Sequence, residues 1–117
     1  MENEDFDIIG FVAEALKSTN VKVFEGWYDE ELNKTHITVH EYSDQDGNYE
    51  DDEPSCINHS VQIDIWSKNS LEAYQLKKLV RKLMLQNDFK KISGQDFYEV
   101  KTKLYHKAMR FTYTEYL

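Results

Sequence analysis

Between His59 and Phe89 the spacing of apolar residues changes once. Val61, Ile63 and Ile65 alternate with Gln62, Asp64 and Trp66, the period of two expected of a half-buried strand rich in β-branched side chains. From Ala73 onward, Leu76, Leu79, Val80, Leu83 and Met84 recur at helical spacing with charged residues between them. Asn69 is placed to cap that helix, with Glu72 three residues on as the second half of a capping-box-like pair. Lys77, Lys78, Arg81 and Lys82 crowd the later turns, where the helix dipole favours cations. A strand that runs directly into an amphipathic helix predicts a helix packed on the strand's own sheet.

The same reading extends to both ends. Phe6, Ile9, Val12, Ala13 and Leu16 predict a first helix over residues 5–18, with Ile8 and Phe11 widening its apolar face enough to touch two surfaces. Ser18-Thr19-Asn20 stops it, Asn20 being able to turn left-handed. Val21 to Tyr28 reads as a strand with Gly26 as a bulge or close approach, and Thr35 to Tyr42 as a second strand joined to it as a hairpin. Residues 43–55 (SDQDGNYEDDEPS) break the alternation and read as an exposed, mobile acidic loop. Asn87-Asp88 ends the second helix and Ser93-Gly94 makes a turn. Phe97 to Val100 and Leu104 to Tyr116 close the chain as strands around Thr102. Within the last one, Tyr105, Lys107, Met109, Phe111 and Tyr113 share a face, and His106, Ala108, Arg110 and Thr112 the other. The expected fold is α+β over residues 1–117 as a single domain: a mostly antiparallel sheet of about five strands with two helices on one face. The second face carries Trp66 and Tyr42 amid polar residues.

Charge narrows the partners. The 117 residues carry a formal net charge of −8 with a pI near 4.9, which argues against binding phosphates or an anionic membrane. No apolar run approaches the roughly 20 residues of a membrane span, and the acidic start MENEDFD is unlike the basic start of an export signal. The lone Cys56 cannot form an internal disulfide and fits a reducing compartment.

Little points to catalysis or metal. Asp44, Asp46, Asn48 and Glu50 alternate like the start of a calcium loop, but Gly47 falls fourth from Asp44 rather than sixth and Ser55 stands where the twelfth-position Glu belongs. His36 and His40 on one strand lie about 13 Å apart, too far for one zinc ion. His59 and His106 read as strand or surface residues. There is no G-x-S-x-G, phosphate-cradling glycine loop or C-x-x-C. Tyr105, Lys107, Arg110, Phe111 and Tyr113 have the composition of a base-stacking surface, which the net charge disfavours. The reading is a non-enzymatic protein with no catalytic residue, cofactor or metal.

Three features lie together in the second half: V-Q-I-D-I-W-S (Val61 to Ser67), a helix of the form A-x-x-L-x-x-L-V-R-x-L (Ala73 to Leu83), and Arg110-Phe111 in a closing strand. They resemble the tail completion or tail terminator proteins of long-tailed bacteriophages and prophages. The likeness covers about the last 60 residues, and the order of elements fits the whole chain. It implies a structural virion protein that forms a ring, commonly hexameric, on the head-proximal end of the tail tube. The ring ends tube polymerisation and joins tail to head, with DNA passing through the lumen unbound. Implied partners are further copies of the chain, the tail tube protein and a head-closure or connector protein. Six copies would carry about −48 charges, a field that repels phosphate. Asp44, Asp46, Glu50, Asp51, Asp52 and Glu53 are then candidates to line the lumen or dock on a partner. Phe11, Tyr42, Trp66 and Arg110 are candidates for the subunit interface. Another neck protein, or a small non-viral cytosolic binding domain, fits the same element order.

Overall fold

The strand that feeds the second helix lies at the centre of the sheet. A computed structural model describes residues 6–26 and 34–117. Its elements are α1 (Ile8–Ala15), a 3₁₀ turn (Lys17–Thr19), β1 (Val23–Glu25), β2 (His36–Glu50), β3 (Glu53–Ser67), α2 (Ser70–Gln86), β4 (Lys90–Glu99) and β5 (Leu104–Tyr116). The five strands form one sheet in the order β1-β2-β3-β5-β4. All pairs are antiparallel except β1 with β2. The architecture is α+β, as the sequence predicts, with both helices on one face.

That face is the core. Ile37 and Val39 of β2, Val61, Ile63 and Ile65 of β3, and Met109 and Phe111 of β5 meet Ile8, Val12 and Leu16 from the first helical segment. Leu76, Val80 and Met84 of α2 complete the layer. Fully burying an aliphatic side chain contributes about 1.5–3 kcal/mol, so the stripe on α2 outweighs what propensity alone gives so short a helix. Asn69 caps α2 as expected, its Oδ1 accepting from Glu72 N at 2.9 Å. The box is not reciprocal, however. The Glu72 carboxylate accepts from Ser67 Oγ at 2.6 Å, and Asn69 N donates to Ser67 Oγ at 3.0 Å. Asn20 adopts φ 59, the left-handed stop that its residue type suggests.

Four expectations are corrected. Residues 43–55 are not a loop: β2 runs to Glu50 and β3 starts at Glu53, so an acidic hairpin occupies the segment, turning at Asp51 and Asp52. Backbone pairing is indifferent to side-chain charge, and strands Asp44↔His59 through Glu50↔Glu53 are held by it. Across this ladder a Cβ on Gly47 would lie 3.2 Å from Cys56 Sγ and 3.1 Å from Asn58 Nδ2, so glycine fits the close approach. Second, β1 is parallel to β2 rather than its hairpin partner, because alternation carries no strand direction. It spans only Val23–Glu25; Gly26, at φ 119, donates its N–H to Val39 O, and Tyr28 lies outside the described residues. Third, Ser93-Gly94 is not a turn but lies inside β4, beside a bulge at Ile92. Fourth, α1 is shorter than residues 5–18, ending at Ala15 before the 3₁₀ turn.

Candidate functional site

Cross-strand register decides which side chains meet on the second face. His36↔Trp66↔His106, Thr38↔Asp64↔Ala108 and His40↔Gln62↔Arg110 form three rows across β2, β3 and β5. Diagonal neighbours in such rows are within reach of long side chains. Trp66 stacks on His106 with ring centroids 3.8 Å apart, and its indole N–H donates to Thr38 Oγ1 at 3.1 Å. His106 Nε2 lies 2.6 Å from Asp64 Oδ1, and Gln62 Nε2 donates to the same carboxylate at 3.0 Å. Arg110 Nε donates to Gln62 Oε1 at 3.0 Å, while its guanidinium lies 4.5 Å from the centre of the Tyr42 ring. Asp64 is 2% exposed, a buried carboxylate satisfied by hydrogen bonds rather than left open.

An Asp–His pair at this distance can orient a general base. Here His106 Nδ1 faces Glu99 at 3.8 Å, and the Asp64–His106 contact braces β3 against β5. Beside it, Gln62, Arg110, Ser93, Gln95 and Phe97 line an open depression of about 600 Å³ that reaches the β4 edge. No group of three or more His, Cys, Asp or Glu among the described residues is arranged to hold a metal ion. No described helix is long and apolar enough to cross a membrane.

The sequence-derived candidates divide between two faces and an arm. Tyr42 and Arg110 touch, and Trp66 shares their face, but at 5% exposure Trp66 offers little surface to a neighbour. Phe11 is on the opposite face, in an aromatic cluster with Phe6, Phe89 and Tyr113 at centroid distances of 5.0–5.7 Å. Asp44, Asp46 and Glu50 line β2 in the arm, Asp51 and Asp52 form its turn, and Glu53 opens β3. The molecule is correspondingly long, 53 × 25 × 22 Å.

One cluster was not legible as a site. His59, 8% exposed, lies between Glu41 and Glu115, with Nδ1 2.5 Å from one carboxylate and Nε2 2.9 Å from the other. Burial pulls its pKa down, but hydrogen bonds to Glu115 and Glu41 and their charges raise it above the ordinary histidine value. His40, on the other face, goes the other way. Burial lowers its pKa, and the attraction of Asp64 does not offset that loss. The only sequence signal for the His59 cluster is the alternation that puts Glu41, His59 and Glu115 on helix-facing positions of three strands; their adjacency needs the register.

No family model matches the chain, and no curated protein matches it in sequence. Among solved structures, the fold is similar to a chain in the virion of a native gene transfer agent (GTA) particle. The TM-score is 0.63 at 10% identity, covering 90% of this chain and 86% of that one. The likeness is one of fold.

Proposed function

We propose that the chain is a non-enzymatic structural protein of a phage-like virion. In this reading it assembles as a ring, hexameric by resemblance, at the head-proximal end of a tail tube. It ends tube growth and joins the tail to the head connector, and DNA passes through its lumen. The observation that carries the reading is the agreement in fold with a virion-particle chain over nearly all of both chains. The Val61–Ser67 strand, the Ala73–Leu83 helix and Arg110-Phe111 point the same way from sequence. The arm, whose carboxylates lie at one end of a 53 Å molecule, suits a lumen or a docking contact.

The test is the mass of the purified protein by light scattering across a concentration series, followed by addition of tail tubes. A closed ring near six subunits, or a monomer that caps tubes, supports the reading. A monomer that ignores tubes overturns it. Copurification with heads rather than tails would move the protein to another position in the neck.

A further inference from the structure

Among the described residues, two sheet edges lack a neighbour. One is the outer edge of β4, whose 10 residues are all exposed, Ile92, Phe97 and Tyr98 at 55%, 45% and 49%. The bulge at Ile92 interrupts it, leaving residues 93–99 regular. The other is the outer edge of the arm: β1 covers only Ile37–Val39, and no described strand lies beside residues 41–50. Tyr42 and Tyr49 on that edge are 36% and 64% exposed. Unpaired edges of this length are templates for further pairing.

The two edges differ in charge. Residues 36–59 carry seven Asp or Glu and no Lys or Arg, whereas residues 68–103 carry nine of the chain's 14 Lys and Arg against four Asp and Glu. They also match in face. Asp44 is opposite His59 and Asp46 opposite Ile57, positions that alternate with the core strand residues and so lie on the helix side of the sheet. On that side β4 offers Lys91, opposite Phe111. Next to it α2 offers Lys77, whose Nζ reaches Asp96 at 2.9 Å, and Arg81 one turn further on. Within the sheet β2 and β4 run in opposite directions, so a second copy in the same orientation brings its arm antiparallel to β4.

We infer that the outer edge of the arm pairs with the β4 edge of a second copy, setting Asp44 and Asp46 beside Lys91, Lys77 and Arg81. The complementary edge is supplied by the same chain, which is why the occupant is another copy. Each copy offers a different edge to each neighbour, a head-to-tail contact that gives a ring when its rotation closes. Closure into a ring rests on the tail reading above; the edge pairing does not.

The experiment compares wild type, Asp44→Lys/Asp46→Lys and Arg81→Glu/Lys91→Glu by light scattering, with circular dichroism to check that these exposed substitutions leave the fold intact. Wild type self-associates. Each variant alone, repelling its own kind, needs at least tenfold more protein to do so, and an equimolar mixture recovers wild-type assembly. Wild-type behaviour of either variant alone, failure of the mixture, or a strictly monomeric wild type overturns the pairing. A monomer that still caps tail tubes removes the pairing and leaves the tail reading. Assembly that follows the charge swap but ignores tail tubes does the reverse.

Discussion

His59 and His40 lie on opposite faces of one sheet and respond to pH in opposite senses. A histidine whose pKa is raised by folding adds stability that is complete below its unfolded value of about 6.5 and is lost as pH rises through the folded value. His59 is of this kind, because Glu41 and Glu115 hold its proton. His40 has the opposite linkage: its contribution is present above the unfolded value and fades as pH falls through the lowered one. His59→Gln should therefore cost about 1.5–3 kcal/mol near pH 6, the range for hydrogen bonds to charged groups. The cost should shrink as pH rises past the ordinary histidine value and through the raised one. Urea denaturation of both proteins across pH measures the difference. A cost that stays constant or grows with pH would contradict a protonated His59 ring held between the two carboxylates.

The arm and α2 are limited by different things. At the arm's tip, Asp51 and Asp52 adopt φ 52 and 65 in a two-residue turn between Glu50 and Glu53. Left-handed backbone at both central positions is the pattern of a type I′ turn, which Asn-Gly favours. Replacing Asp51-Asp52 with Asn-Gly should stabilise the protein by about 0.5–1 kcal/mol, by relieving Cβ strain and like-charge repulsion. The helix α2 depends on packing instead. Met84 is fully buried between it and the sheet, so Met84→Ala should cost about 2–5 kcal/mol from lost transfer energy and a residual cavity. Thermal melts measure both. A neutral Met84→Ala would mean that the helix does not depend on this face.

A net charge of −8 distributed as an acidic arm and a more basic α2–β4 side makes each copy strongly dipolar. At physiological ionic strength charges are screened over about 8 Å, so only the closest pairs between copies contribute. Raising sodium chloride to about 1 M, where screening falls to about 3 Å, should weaken assembly without unfolding the subunit. On the proposed virion reading, replacing residues 48–55 with Asn-Gly, which keeps Gly47 opposite Cys56, should leave melting nearly unchanged and lower the yield of infectious particles. Undiminished yields would take the arm tip out of the assembly.

The elements that a local repeat specifies were legible in the chain: β3 from Val61, Ile63 and Ile65, α2 from Ala73 to Met84, and both faces of β5. In each, one buried face imposes a period that the side chains must follow. Asn69 and Asn20 were legible too, since a cap or left-handed stop depends on neighbouring backbone alone. Elements that rest on backbone pairing were not. The arm is built from carboxylates, its turn lacks the glycine that marks a hairpin, and Gly47-Asn48 and Ser93-Gly94 imitate turns inside strands. The direction of β1, the Asp64–His106 brace and the carboxylates around His59 join positions 14 to 56 residues apart. Their meeting is set by strand order and register, which depend on how distant strands pair and bury a common face, and which no local run of residues encodes.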